Sequence, residues 1–340
     1  MTRTLHPGTT EDRPVEDLVD DLEPYEVERT GDDGPAGSLW GYIWRMSGKH
    51  QLAAGLVAIL VSALNLIPVE LQRRIVDDAI TPKDLDLLWT LGLVYAGVIV
   101  LHQIVKFGLR LYQGRISESA ILYTRRHLVR MRDDPDAPAD SEDRGSSASI
   151  ITTETDKLGG FVGEGIVQFA TSTSLLLGAV AYMMVVEPSI AMLGLACVLP
   201  QVLLTPLMQK RLNQLVEDRV AYMRDMTRAL TREENTQEEC GEIDAIMQGT
   251  YANRMRFFFV KFLMKALLNL LNALTPIAVL LYGGYMVIEG DTTVGVVVAF
   301  LTAFERVAAP LRELIAFYRA SEQAKVQHRM IASWMCGKPL

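Results

Sequence analysis

Six apolar segments constrain this 340-residue chain more than any other feature of its sequence. A helix needs about 20 mostly apolar residues to cross the hydrocarbon core of a bilayer. The sequence therefore predicts an all-α membrane protein with six transmembrane helices, at residues 52–71, 87–109, 165–186, 190–208, 266–288 and 293–311. Proline residues within these segments are compatible with helices in a membrane, because neighbouring groups can satisfy the carbonyls that they release.

Lys and Arg predict how the chain is oriented in the membrane. The loops between segments two and three and between segments four and five contain about eight and about ten of these residues. The loops on the other side contain only Arg73, Arg74 and Lys83. Because positively charged loops stay on the cytoplasmic side, we expect both termini and both long loops in the cytoplasm. This favours a multi-pass protein of the bacterial inner membrane or an equivalent membrane.

The two long loops are themselves predicted to be helical. Aliphatic residues recur three or four positions apart over residues 110–131 and again over residues 212–223, which is the spacing of one helix face. We therefore expect the membrane helices to continue as long cytoplasmic helical extensions. Their tips, far from lipid, require a contact with a partner.

The acidity of the chain belongs to its first 37 residues. They contain eleven Asp and Glu against three Lys and Arg, while the remainder contains thirty of each class. A segment with this charge and no apolar run cannot bury enough surface to fold alone. We predict a disordered acidic cytoplasmic tail at 1–37, a six-helix membrane domain at 38–334 and a short end at 335–340. The alternative for the tail is a docking segment around Leu22–Tyr25.

The most specific pattern in the chain begins in the fifth apolar segment. It consists of Gly283, Gly284, Val287, Gly290, Thr293, Gly295, Val298, Ala299, Phe300, Pro310 and Leu311. Weaker matches precede it, at Pro68, Ile75, Asp77, Ile80, Gly145, Ile150, Thr153, Asp156, Phe161, Gly165, Glu239, Gly241, Ile243, Ile246 and Gly249. In this order and spacing, the residues resemble the transmembrane domain of ABC exporters of the six-helix, type IV class. The resemblance covers about Ser38 to Trp334.

This resemblance implies a homodimer or a heterodimer of membrane halves that contacts a nucleotide-binding subunit. It implies transmission contacts at residues 131–144 and 240–252, where we single out Met131, Asp134, Asp136, Gly241, Ile243, Ile246, Met247, Gly249 and Tyr251. The first of these stretches departs from the family, because its acids and the prolines Pro135 and Pro138 oppose an apolar helix tip. Either the partner has a basic complementary surface or this contact has been lost.

No phosphate-binding loop of the type Gly-x-x-x-x-Gly-Lys-Ser/Thr occurs in the sequence. We therefore expect the energy source to lie on another chain, to be absent or to be replaced, and we expect this chain to be no enzyme. ATP and Mg²⁺ would bind to a partner chain. The spacing of Cys197, Cys240 and Cys336 indicates neither a disulfide scaffold nor a zinc site, and the arginines indicate orientation rather than nucleic-acid binding.

Polar residues within or beside the apolar segments are candidates for lining a substrate path, because they usually face a cavity or another helix. These are Asn65, His102, Gln103, Lys106, Gln168, Asn269, Asn272, Glu305 and Arg306. Hydrogen bonds between helices explain the amides equally well. The glycines Gly159, Gly160, Gly163 and Gly165 are interpreted as positions of close helix packing, since no strand precedes them.

Three functions are compatible with these patterns. The first is the membrane subunit of an exporter whose ATPase is a separate chain. The second is a transporter of the same fold that is driven by protons, motivated by His102, Lys106 and Glu305. The third is a scaffold within a larger membrane complex that does not transport, motivated by the acidic first contact segment and the acidic tail.

Overall fold

The computed structural model describes residues 24–25, 36–133, 148–231 and 237–336, with only the helical backbone described at residues 237–240 and 242. Six long helices occupy these ranges. They are α1 (Leu39–Arg74), α2 (Leu85–Asp133), α3 (Thr155–Val186), α4 (Pro188–Leu230), α5 (Gln237–Glu289) and α6 (Val294–Met335). Two π-helical turns, Ile75–Ile80 and Ile150–Glu154, follow α1 and precede α3. The described part of the chain contains no strand, so the predicted fold class is confirmed.

All six helices are long and apolar enough to cross a membrane. They also extend well beyond their apolar segments. Helix α5 has 53 residues, which at about 1.5 Å per residue is roughly 80 Å, against roughly 30 Å of hydrocarbon. The helices predicted over 110–131 and 212–223 are confirmed as continuations of α2 and α4. Their cytoplasmic location remains a prediction.

Helix α1 contains one break in its helical geometry. Gly48 has a φ of 29° and a ψ of −108°, a backbone conformation that glycine adopts without steric cost. The break separates a leading segment, residues 39–47, from the apolar segment that follows. In the leading segment Tyr42 is buried, and its hydroxyl lies 2.6 Å from that of Thr124. Burial raises the pKa of Tyr42 to about 12.

One unit of the structure comprises the described residues within Met1–Pro68, Leu93–Gly178 and Ala309–Leu340. Its core combines side chains from α1, α2, α3 and α6, among them Ile43, Ala58, Leu128, Leu158, Val162, Ile331 and Trp334. Removing apolar side chains such as these from water is the main favourable contribution to folding. Trp334 at the end of α6 is one of the largest side chains that are fully buried.

Two glycines of α3 bring it close to α2 in this unit. A Cβ atom at Gly163 would lie 2.5 Å from the carbonyl oxygen of Gln113, and one at Gly159 would overlap the side chain of Ile121. Small residues at such positions let two backbones approach closely. Close packing is therefore confirmed at these two positions. Gly160 has open space beside it instead.

Of the predicted acidic tail, only residues 24–25 and 36–37 lie within the described ranges. Tyr25 is half-buried and its ring lies between two side chains. The His50 ring centroid is 4.0 Å away, and the Arg115 guanidinium carbon is 4.1 Å from the Tyr25 centroid. The Tyr25 backbone N–H donates to Ser119 Oγ at 3.0 Å. The docking alternative was centred here, although Leu22 and Glu23 lie outside the described residues.

The second unit comprises Val69–Gly92 and Ala179–Ala308. It contains all of α4 and α5, and glycines again mark close contacts, because a Cβ at Gly194 would overlap the ring of Phe304. Asp77, in the first π-helical turn, accepts hydrogen bonds at the start of α6. Thr293 Oγ1 donates to it at 2.6 Å and the Gly295 backbone N–H at 2.8 Å. The Asp77 carboxylate therefore accepts one hydrogen bond from a side chain and one from a backbone N–H at the amino-terminal end of α6, where helical N–H groups lack a partner within the helix.

Candidate functional site

A cavity of about 500 Å³ lies within the first unit, between residues of α2, α3 and α6. Its volume is within the range of small-molecule sites. Polar, charged and aromatic side chains share its wall. The lining residues are Arg110, Lys157, Gly160, Phe161, Glu164, Gly165, Gln168, Glu313, Ala316, Phe317, Ala320, Gln323 and Gln327.

The helical repeat explains why α3 contributes so many of these residues. Lys157, Phe161, Glu164 and Gln168 are spaced by three or four positions, so they lie on one face of the helix. Gly160 and Gly165 lie beside this face and also line the cavity. Two glycines of α3, Gly159 and Gly163, thus allow close contact with α2. Gly160 leaves open space beside the cavity, and Gly165 makes room for the ring of Phe161, because a Cβ there would lie 2.7 Å from that ring.

Gln168 connects α3 with α6 across the cavity wall. Its Nε2 atom donates to Glu313 Oε2 at 3.2 Å and lies 3.2 Å from Ser172 Oγ. The sequence predicted Gln168 as a path-lining residue, and the structure places it in the cavity lining. The geometry also fits the alternative interpretation, a hydrogen bond between helices. Both descriptions apply to this side chain.

The four charged residues of the lining differ in their partners. Lys157 forms an ion pair with Glu154, with 3.1 Å between Nζ and Oε1, and Glu313 accepts the hydrogen bond from Gln168. Arg110 and Glu164 form neither an ion pair nor a hydrogen bond with any residue in the described ranges. Arg110 and Glu164 are both exposed, so among the described lining residues they are a cation and a carboxylate that water or a ligand can reach.

Aromatic rings form the apolar part of the wall. Phe161 of α3 and Phe317 of α6 stack with their centroids 5.9 Å apart. Phe169 supports Phe317 from the side at 5.1 Å, and Trp40 of α1 lies 6.5 Å from Phe161. Such ring pairs add packing energy beyond the area that they bury. The cavity thus combines exposed charged side chains with an aromatic surface.

The other predicted path residues do not line this cavity. Five of them are exposed: Gln103 and Lys106 on α2, Asn269 and Asn272 on α5, and Glu305 on α6. Asn65, His102 and Arg306 are half-buried, and each already has an interaction. All eight remain candidates for a path, because exposure in the single chain does not distinguish lipid from a substrate route. No described group of three or more His, Cys, Asp or Glu is arranged to hold a metal ion.

The first predicted contact segment is described only at its beginning. Met131 is half-buried near the end of α2 and packs against the core of the first unit. Asp134 and Asp136 lie outside the described residues. The role of this segment in contacting an ATPase therefore remains a prediction.

The second predicted contact segment forms the beginning of α5. Gly241, Ile243, Ile246, Met247, Gly249 and Tyr251 all belong to this one continuous helix. Ile243 and Ile246 are half-buried, and a Cβ at Gly249 would lie 2.9 Å from the Tyr222 ring of α4. This glycine therefore marks a close contact between α4 and α5.

The outer face of the same helix segment is apolar. Met247 is 45% exposed and Tyr251 is 69% exposed, and Met255 and Phe259 continue the row at intervals of four residues. We call these four residues the α5 apolar face. They precede the apolar segment at 266–288, so lipid is not the expected cover. Exposed apolar surface of this kind typically marks a protein contact.

Several lining residues were not singled out from the sequence. The missed residues are Arg110, Glu164, Glu313 and Phe317. For those on α3 and α6, the spacing along the helix was a usable indication. Residues 157, 161, 164 and 168 fit one helix face, and so do 313, 317, 320 and 327. Pairing those two faces requires knowing which helices are neighbours, which the sequence alone did not supply.

Two comparisons relate the sequence to known proteins. Residues 52–311 match the family model described as ABC transporter transmembrane region. A curated protein of Bacillus subtilis (strain 168), described as "Uncharacterized ABC transporter ATP-binding protein YknV", is 21% identical over 285 residues. That alignment covers 77% of this chain and 46% of the relative. The chain therefore spans about half the length of the curated relative that it matches.

Proposed function

Since this chain belongs to the family of ABC transporter transmembrane regions, we propose that it is the membrane-spanning subunit of an exporter whose ATPase is a separate chain. The subunit forms the substrate path and transmits the movement of the ATPase to it. It pairs with a second copy or with a homologous membrane half. The Lys and Arg distribution supports a cytoplasmic location for both termini and for the tips of α4 and α5.

The observation that carries this proposal is the α5 apolar face. Met247 and Tyr251 are exposed on a helix that continues beyond its membrane-crossing length. Leaving four such side chains in water is unfavourable in proportion to their apolar area. A partner protein that covers this face removes that cost. The position of the face, in the segment where the family resemblance implies ATPase contact, makes the ATPase the proposed partner.

The cavity of the first unit supplies the substrate contact in this proposal. Its residues come from α3 and α6, which both cross the membrane, and from the beginning of the α2 extension. A change in the tilt of these helices alters the cavity without any bond to the substrate being made or broken. The residues act by binding and release rather than by catalysis.

ATP and Mg²⁺ bind only to the partner in this proposal. The sequence has no Gly-x-x-x-x-Gly-Lys-Ser/Thr loop with which to hold nucleotide phosphates. ATP bound to the partner supplies the free energy that changes the relative populations of the transporter's conformations. This chain contributes the α5 apolar face, through which movement of the ATPase is transmitted to the membrane helices.

The test is copurification of the chain from its native membrane, with mass spectrometry of the proteins that accompany it. The wild-type chain is expected to retain an ABC ATPase in stoichiometric amount. Replacing both Met247 and Tyr251 by Asp places two charges in the proposed contact. This is expected to abolish the association, because burying an unpaired charge is unfavourable. The matched control is Gln248→Ala, an exposed polar position on the same helix.

An ATPase that remains bound to the Met247→Asp/Tyr251→Asp variant would contradict the proposed contact. Unrelated membrane proteins without any ATPase would instead support the scaffold alternative. Recovery of the chain alone, with uptake that follows an imposed pH gradient, would support the proton-driven alternative.

A further inference from the structure

The cavity of the first unit holds two opposite charges that do not pair with each other. Arg110 extends from α2 and Glu164 from α3, and both line the same space. Neither forms an ion pair or a hydrogen bond with another residue in the described part of the chain. The remaining two charges are already engaged, Lys157 with Glu154 and Glu313 with Gln168.

Opposite charges that line a small cavity without meeting leave room for a molecule between them. A ligand with only a positive group pairs with Glu164 and leaves the exposed guanidinium of Arg110 to water, and a purely anionic ligand does the reverse. A ligand that carries both charges satisfies both residues at once. Hydrogen bonds to charged groups are the stronger class, so this complementarity distinguishes between ligands.

The rest of the wall fits an apolar group attached to such a head. Phe161 and Phe317 present stacked rings that are held in place by Phe169. An alkyl or aromatic portion packs against these rings while the charged head lies between Arg110 and Glu164. Arg110 directly follows the second apolar segment, so this head would lie near the boundary of the hydrocarbon layer.

We propose that this cavity binds a zwitterionic amphiphile, with its anionic group at Arg110, its cationic group at Glu164 and its apolar portion against Phe161 and Phe317. The inference rests on the proposed function in taking this ligand to be the transported class. The same chemistry occurs in zwitterionic lipid headgroups and in acylated amino acids or peptides. The experiment distinguishes these two sources.

Binding is measured with the full chain in nanodiscs of phosphatidylglycerol, which contain no zwitterionic lipid, with empty nanodiscs as the background. The zwitterionic probes are tritiated dodecylphosphocholine and tritiated Nα-dodecanoyl-lysine, which has a free carboxylate and a free ammonium group. The matched probes with one charge are dodecyltrimethylammonium and dodecyl phosphate. At least one zwitterion is expected to bind saturably and about tenfold more tightly than either matched probe, the gain of one additional charged hydrogen bond.

Charge exchange provides the decisive variants. Arg110→Glu and Glu164→Arg are each expected to weaken zwitterion binding by about tenfold or more. The double variant R110E/E164R is expected to restore it, because the ligand can bind with its head reversed. Arg126→Glu is the control, since this exposed arginine lies on the same helix as Arg110 but does not line the cavity. A thermal unfolding midpoint for each variant separates loss of folding from loss of binding.

The proposal is overturned if the single-charge probes bind as tightly as the zwitterions, or if the folded double variant fails to recover binding. Binding of the phosphocholine probe alone identifies a lipid headgroup as the source, and binding of the lysine probe alone identifies an acylated amino acid. No ATPase or nucleotide enters the assay, so failure of the ATPase contact leaves its result unchanged. Conversely, a bound ATPase that is stimulated only by a compound with one charge overturns the ligand class and leaves the proposed function standing.

Discussion

The two units of the chain each bury some large aromatic side chains and expose others. In the first unit Trp334 is 2% exposed, whereas Trp44 is 59% exposed. In the second unit Phe300 is fully buried, whereas Trp89 is 73% exposed. Each unit therefore has buried apolar side chains of its own and also apolar surface that lipid or another protein can cover. Trp334 and Trp89 are the same residue type in two opposite environments.

The second unit has a group of polar contacts near the end of α1, where Glu70 accepts hydrogen bonds from Arg73, Arg74 and Tyr182. Asp77 follows within the next two turns and accepts hydrogen bonds at the start of α6. We call this group the α1 polar end. Its contacts with Tyr182 of α3 and with the start of α6 join different helices, whereas other side-chain hydrogen bonds of this unit, on α4 and α5, stay within one helix.

The largest expected effect comes from replacing the buried tryptophan by alanine, compared with the same replacement at the exposed one. Trp334→Ala removes a buried ring from the first unit and is expected to destabilise the chain by about 3–5 kcal/mol, through lost burial and the cavity left behind. Trp89→Ala removes the same side chain from an exposed position and is expected to change stability far less. Unfolding in SDS, followed by circular dichroism, measures both. Equal losses of stability for the two variants would show that the burial of Trp334 does not contribute more to folding than the exposed Trp89.

A smaller effect is expected at the α1 polar end of the second unit. Asp77→Ala removes the acceptor for Thr293 and Gly295 and is expected to cost about 1 kcal/mol, as for loss of a helix cap. Hydrogen exchange, read by mass spectrometry, should accelerate at residues 293–296. The control is Asp78→Ala, because Asp78 is exposed. If exchange at these residues is unchanged in the Asp77 variant, this end is not held by the capping contact.

The smallest expected effect is a pH dependence in the core of the first unit. His328 is buried beside Tyr42, with ring centroids 5.8 Å apart, and burial lowers the pKa of His328. The unfolded chain, with a His pKa of about 6.5, then binds protons more readily than the folded chain. The contribution of His328 to stability is fully present above the unfolded pKa. It is lost as pH falls from the unfolded pKa towards the lower pKa of the folded chain. His328→Gln is expected to reduce this acid sensitivity.

The measurement for His328 is the thermal unfolding midpoint of the wild-type chain and the variant from about pH 7.5 to about pH 5.5. The wild-type midpoint should fall further on acidification than that of His328→Gln. Parallel pH profiles for the two proteins would show that the buried imidazole does not contribute to acid sensitivity.

The six helices could be predicted because hydropathy is a local property, and each apolar segment is long enough to be recognised alone. The cavity could not be predicted in the same way. A polar residue stands out in a sequence only when its neighbours are apolar. Lys157, Glu164 and Glu313 lie outside the apolar segments, among other charged residues, so the sequence does not distinguish them. Gln168 was found because it lies inside one. Its partner Glu313 depends on which helix is adjacent and in which register, and neither is encoded in local composition.

The second contact segment could be located from the sequence, but its structural setting could not. The resemblance indicated residues 240–252, and the structure adds that they belong to a helix that continues to Glu289. Sequence periodicity could not distinguish a separate short helix from the beginning of a long one, because both have the same repeat. Which residues are covered and which are exposed depends on α4, whose Tyr222 contacts Gly249.

The length of α5 has a mechanical consequence. A continuous helix resists bending, so a tilt at one point becomes a displacement that grows with distance along the axis. Pro276 interrupts the hydrogen-bond ladder of α5 and is 25 residues from Tyr251, which is about 37 Å along the axis. A pivot of about 5° at that proline would move Tyr251 sideways by about 3 Å. The helix can therefore act as a lever that converts a small angle in the membrane into a stroke the size of a hydrogen bond at its far end.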